Sequence, residues 1–196
     1  SKELLKQKRE LVSIKTAYES VYKFKIDKKT NDEQYVKAKQ NIADLTMEHE
    51  KLQKALQFGA ISSGDEQSVT GYLKEIEHRI DANKKKALDL EHVYSAMGAK
   101  LPDISYIKTS RDLNVTKNLI NKERDYQIAG TKEAYKTNPD ELKTKLDEVN
   151  SDALAKRERI LSSINNFYSS VLANAKRDLE LQQALGNIKG PEDRIK

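Results

Sequence analysis

Apolar side chains recur in this chain at alternating spacings of three and four. Tyr35, Ala38, Ile42, Leu45, His49, Leu52 and Leu56 form one such series, and Val69, Leu73, Ile76, Ile80, Asn83, Ala87, Leu90, Tyr94 and Met97 form a second, with His49 and Asn83 as their polar members and Asn83 a candidate to fix a coiled-coil register. Residues so placed share one face of an α-helix, because a turn takes about 3.6 residues. The opening segment adds Leu4, Leu11, Ile14, Tyr18 and Val21, with Tyr22 and Ile26 continuing the stripe. A seam this narrow does not suit a sheet, whose side chains alternate with period two, and it needs a second helix to cover it.

A thin seam is also what the chain has the means to bury. Hydrophobic residues make up 37% of the 196 and charged residues 34%, too little apolar material for a thick core but enough for long helices zipped along narrow stripes. Low hydrophobicity with many charges also describes disordered chains, and the sustained periodicity decides for helices. Lys and Arg number 36 against 31 Asp and Glu. The two signs are interspersed, which makes a solvated surface rather than a polybasic arm. Cysteine is absent, so disulfides, thiolate ligands and cysteine nucleophiles are removed together. No apolar run approaches the roughly 20 residues of a membrane span, and no signal-peptide core stands at the start. The chain begins and ends in helical or polar sequence, which fits a piece of something longer.

Sparse punctuation divides the chain. Lys28 to Glu33 offers Thr30 or Asn31 as a helix cap followed by acidic residues, and predicts a helix-helix turn there. Phe58 to Asp65 carries two glycines and two serines and reads as a loop. Gly98, with Pro102 shortly after, ends the third helix, and Thr109 or Ser110 can cap the next. Asn138-Pro139-Asp140-Glu141 is a stronger start signal: a cap, proline at the first helical position, then two carboxylates facing the helix dipole.

The last helix is expected from about Pro139 to Leu185, before Gly186 and the Lys189-Gly190-Pro191 breaker. Its stripe runs through Leu142, Leu146, Val149 and Ala153, then resumes out of phase at Leu161, Ile164, Tyr168, Val171 and Ala175, which predicts a kink near Ser151 to Arg157. Laying Thr30-Asn31-Asp32-Glu33 on Thr137-Asn138-Pro139-Asp140 gives a weak internal repeat, as two related helical units would. The expected fold is all-α: an elongated, kinked, antiparallel coiled-coil-like bundle of about five helices. It divides into a helical hairpin over 1–60, a loop over 61–69, a kinked three-helix bundle over 70–186 and a polar tail over 187–196.

Catalysis finds little to stand on. His78 and His92 each follow a carboxylate three residues earlier, Glu75 and Asp89, as in half of a bundle di-iron site. Both pairs sit on one helix and cannot face each other across a core. His49 lies in a seam and reads as a structural histidine. There is no phosphate-binding glycine loop, no Gly-x-Ser-x-Gly elbow and no His-Glu-x-x-His, so no catalytic residue, cofactor or metal is assigned. Lys84-Lys85-Lys86 and nine tyrosines are too dispersed for a nucleic-acid reader.

Gly98-Ala99-Lys100-Leu101-Pro102-Asp103-Ile104-Ser105, then a helix rich in Thr, Asn and Lys, then Asn138-Pro139-Asp140-Glu141-Leu142-Lys143 and a long helix, resembles the kinked three-helix bundles of S-type pyocins and related colicin-like bacteriocins. The likeness spans roughly residues 70 to 185 and rests on pattern and element order. It implies a secreted toxin's cell-surface-binding part, which places the toxin on an outer-membrane protein receptor or on surface polysaccharide of a competitor bacterium. Residues 1 to 60 would then be the rear two helices of a preceding, related bundle. No binding residue transfers position by position.

Loops are where a helical domain of this sort meets a partner. The turn from Leu101 to Thr109 carries more apolar character than a connector needs, and Leu101, Pro102, Ile104, Tyr106 and Ile107 are the candidate receptor contacts. Two other readings fit the same composition: a structural coiled-coil spacer or adaptor, and a membrane-associated, crescent-shaped helical dimer.

Overall fold

A computed structural model describes residues 2–110 and 112–186. The described residues form four α-helices: α1 (Lys2–Gln57), α2 (Glu66–Ala96), α3 (Asn114–Ala134) and α4 (Pro139–Gly186). No strand occurs among the described residues, so the all-α helical bundle read from the seams is the fold. The tail expected over 187–196, with its Lys189-Gly190-Pro191 breaker, lies outside the described residues, as do the side chains of Val21, Tyr22 and Ile26.

The turn expected at Lys28 to Glu33 is not formed. α1 is one helix of 56 residues, where a hairpin over 1–60 needs two. No glycine or proline interrupts the stretch, and Asp32 is satisfied inside the helix. It accepts from Lys28 Nζ one turn back at 2.6 Å and from the Tyr94 hydroxyl on α2. The connector to α2 begins at Phe58, and α2 starts at Glu66 inside the expected 61–69 loop.

The chain divides into two compact units, Ser1–Met47 with Glu75–Arg111, and Glu48–Lys74 with Asp112–Lys196. In the first, α1 and α2 run antiparallel, with Asp32 opposite Tyr94, Tyr35 opposite Glu91 and Asn41 opposite Asn83. Tyr35, Ala38, Ala87 and Leu90 form a buried cluster closed by Ile42 and Ile104. The two alanines let the helix axes approach, and the tyrosine rings fill the next layer, with Tyr35 and Tyr94 6.3 Å apart. Buried phenols need acceptors, and Tyr35 finds Glu91 at 3.0 Å. Asn41 donates to Asn83 at 3.0 Å, so the polar position expected in the α2 seam has a mate and fixes the register.

The second unit packs the end of α1 and the start of α2 with the antiparallel α3–α4 hairpin. Leu52, Ala55, Val69, Leu73, Ile120, Ile160 and Ile164 fill its core. Here α1 bonds the start of α3 through Glu48 and α4 through Tyr168, and its buried stripe shifts by one: Glu48 and Ala55 are buried where His49 and Leu56 were expected. The phase change expected in α4 takes another form. Lys156 and Ile160, three and seven residues after Ala153, carry the first stripe on to Ile164, and Ile160 rather than Leu161 is the fully buried residue. α4 stays helical through Ser151 to Arg157.

Helix ends follow local chemistry. Gly59 and Gly98 adopt φ of 68° and 59°, the left-handed conformation in which a glycine closes a helix. Around Gly98 the bonds run from Gly98 N to Ser95 O at 3.1 Å and from Ala99 N to Tyr94 O at 2.9 Å, as a Schellman motif requires. Asn138 caps α4: its Oδ1 accepts from Glu141 N at 3.3 Å while its Nδ2 donates back to Glu141 at 2.9 Å. Thr137–Asp140 is therefore a helix start and Thr30–Glu33 a helix interior, and the proposed repeat does not pair equivalent structures.

α3 begins differently. Its cap residue Leu113 makes no side-chain bond, and neither Thr109 nor Ser110 caps it. Glu48 does so from α1, its buried carboxylate accepting from the backbone N–H groups of Val115 and Thr116. A carboxylate there satisfies two orphan donors and lies at the positive end of the helix dipole.

Candidate contact surface

The connector between α2 and α3 holds all five sequence-predicted contact residues, and it is pinned along its length. Asp103 makes an Asx turn, accepting from Ser105 N and Ser105 Oγ, each at 2.9 Å. Those two bonds, the backbone one first, hold its carboxyl below the ordinary carboxylate range. Ile107 N closes a turn on Ile104 O at 3.1 Å. From α1, Gln40 Nε2 donates to Lys108 O at 2.8 Å and Asp44 Oδ1 accepts from Ser110 N at 2.6 Å. Gln40 also bonds Asp44 at 3.0 Å, so the two clasps brace each other.

The connector splits the five candidates. Ile104 packs on the Tyr35–Ala38–Ala87–Leu90 cluster, and Pro102 and Ile107 are half-buried. Tyr106 stands 61% exposed and Leu101 37% exposed. Ile104 thus anchors the loop, and Leu101 and Tyr106 are what it shows to water. The Asp103-x-Ser105 spacing could have announced the turn. Gln40 and Asp44 carried no signal, since a glutamine and an aspartate four apart on a helix are ordinary surface residues until a loop lies over them.

Other polar groupings are engaged structurally. In the second unit Tyr72 donates to Glu123, and Lys156 Nζ bridges Glu123 and Ser68, each at 2.7 Å. Burial first, and then the Glu123 carboxylate, push the Tyr72 phenol above its ordinary range. An open cleft of about 520 Å³ in the first unit is bordered by Asp27, Asn31, His92, Val93 and Met97. His78 and His92 are exposed and His49 is half-buried. Among the described residues no three His, Cys, Asp or Glu side chains gather as a metal ion would require, and no described helix is long and apolar enough to cross a membrane. No protein-family model matches the chain, and no curated protein or solved structure matches it.

Proposed function

We propose that this chain is a non-catalytic receptor-binding domain, of the kind that attaches a secreted pyocin-like bacteriocin to an outer-membrane protein receptor or surface polysaccharide of a target bacterium. The observation that carries this reading is the clasped connector. Gln40 and Asp44 hold the backbone at Lys108 and Ser110 while Leu101 and Tyr106 stay outside. A loop fixed before binding loses little conformational freedom on docking, and an exposed tyrosine beside an aliphatic side chain is the composition of an interface anchor.

The helices give that loop a stiff base, since Ile104 packs on the Tyr35–Ala38–Ala87–Leu90 cluster between α1 and α2. The polar clusters in both units satisfy themselves through short bonds, as structural networks do. The test is retention of the fluorescently labelled chain by intact Gram-negative cells, compared after protease treatment and after periodate oxidation of surface sugars. Retention lost to one treatment assigns the receptor class. Retention by no strain, or retention unchanged by both treatments and by Tyr106→Asp, would remove the reading.

A further inference from the structure

Residues 3–19 of α1 are exposed on every face, although their sequence carries a seam. Leu4, Leu11, Ile14 and Tyr18 are 67%, 66%, 66% and 73% exposed. Further along the same helix, residues of the same spacing are buried against α2, so the bare stretch has the pattern of a packed helix without its mate. In heptad terms Leu4, Leu11 and Tyr18 take position a, with Gln7 and Ile14 at d. Leu5 and Val12 fall at b, outside the stripe.

The flanks say which mate fits. Position g is Glu3 and Glu10, and position e is Lys8 and Lys15. When two such helices run parallel and in register, each g side chain meets the e side chain five residues on in the other strand. Glu3 then faces Lys8 of the second copy and Glu10 faces its Lys15, and symmetry doubles both contacts. An antiparallel pair would put g beside g and e beside e, setting glutamate against glutamate and lysine against lysine. Lys15 is within 3.7 Å of Glu19 on its own helix, and both side chains are well exposed. That surface pair holds the ammonium only weakly and leaves it in reach of a second helix.

We infer that the first turns of α1 form a parallel, in-register two-stranded coiled coil with a second copy of this chain. Leu4, Leu11, Ile14 and Tyr18 fill its seam, and Glu3/Lys8 and Glu10/Lys15 set its direction. The dimer is weak, because the seam is short and Gln7 interrupts it. It goes beyond receptor attachment but would serve it, since two linked contact loops bind a receptor-bearing surface more tightly than one.

The test uses the full chain in sedimentation equilibrium across a wide concentration range. Self-association is expected, and the double variant Glu3→Lys with Glu10→Lys should weaken it by about tenfold or more, as should Lys8→Glu with Lys15→Glu. An equimolar mixture of the two variants should restore association to the native level. Because the chain has no cysteine, direction can be read separately. Leu4→Cys and Tyr18→Cys should each form a disulfide with its own copy, whereas an antiparallel pair links only the mixture. All these positions are exposed, so circular dichroism should show the native helix content in every variant. A monomer at all concentrations, a dimer indifferent to the charge reversals, or crosslinking only in the mixture would overturn the inference.

Discussion

Arg159 on α4 holds Asp65, at the start of α2, through two bonds, Nε to Oδ2 at 2.6 Å and Nη2 to Oδ1 at 2.8 Å. The Asp65 side chain is 4% exposed and that of Arg159 50%. The carboxylate is thus the buried member and the guanidinium its link to solvent. Ser62 Oγ adds a third bond to the same carboxylate at 2.7 Å. One buried charge therefore closes the 58–65 connector, starts α2 and ties it to α4.

Removing the arginine strands that carboxylate. Arg159→Ala should cost about 1–3 kcal/mol in urea unfolding, the lower part if water reaches the site. The Arg159 bond, chiefly, holds the Asp65 carboxyl below its ordinary value of 3.8. A lowered folded value means the pair contributes fully above pH 3.8 and loses its contribution as pH falls through the folded value. Acid unfolding of Asp65→Asn should accordingly be less steep than that of the native chain. An identical acid limb would show that the pair does not carry this stability.

At the other end of the scale, Tyr72 and Tyr94 are both pushed above the ordinary phenol value of 10.0, by burial first and then by Glu123 and Asp32. A raised folded value means the contribution is whole below pH 10 and is lost as pH rises past it. Tyrosinate absorbance should therefore show these two phenols titrating only with loss of helix. Tyr72→Phe should remove part of the alkaline sensitivity.

Glu48 should matter out of proportion to a single surface-type residue. Glu48→Ala should cost about 1–2 kcal/mol, the range for a lost helix cap, and should raise the hydrogen-exchange rates of the Val115 and Thr116 amides in particular. Glu48→Gln, which keeps an acceptor oxygen but no charge, should fall between. Equal protection in all three proteins would mean that α3 starts without this cap.

Much of the fold is legible because the seams are periodic. Every position of the Val69–Met97 series is buried or half-buried, and the Gly98 and Asn138 signals operate through local bonds that sequence alone specifies. What escaped notice depends on long-range placement. The Thr30-Asn31 cap signal loses to helix continuity because Asp32 has acceptor work to do on Lys28 and on Tyr94, whose hydroxyl comes from another helix. Glu48 sits beside His49 in a stripe whose phase depends on how many helices cover it, which no local pattern records. In the connector, apolar composition pointed to five residues, but only placement on the Tyr35 cluster separates the anchor Ile104 from the outward Leu101 and Tyr106.

The most direct measurement is an equilibrium titration of the full chain against outer-membrane vesicles from a strain that retains it, comparing the native protein with Leu101→Asp/Tyr106→Ala. Both side chains point outward, so folding should be unchanged, and affinity should fall by about tenfold or more. Native affinity in the double variant, with helix content intact, would contradict the assignment of this connector as the contact surface.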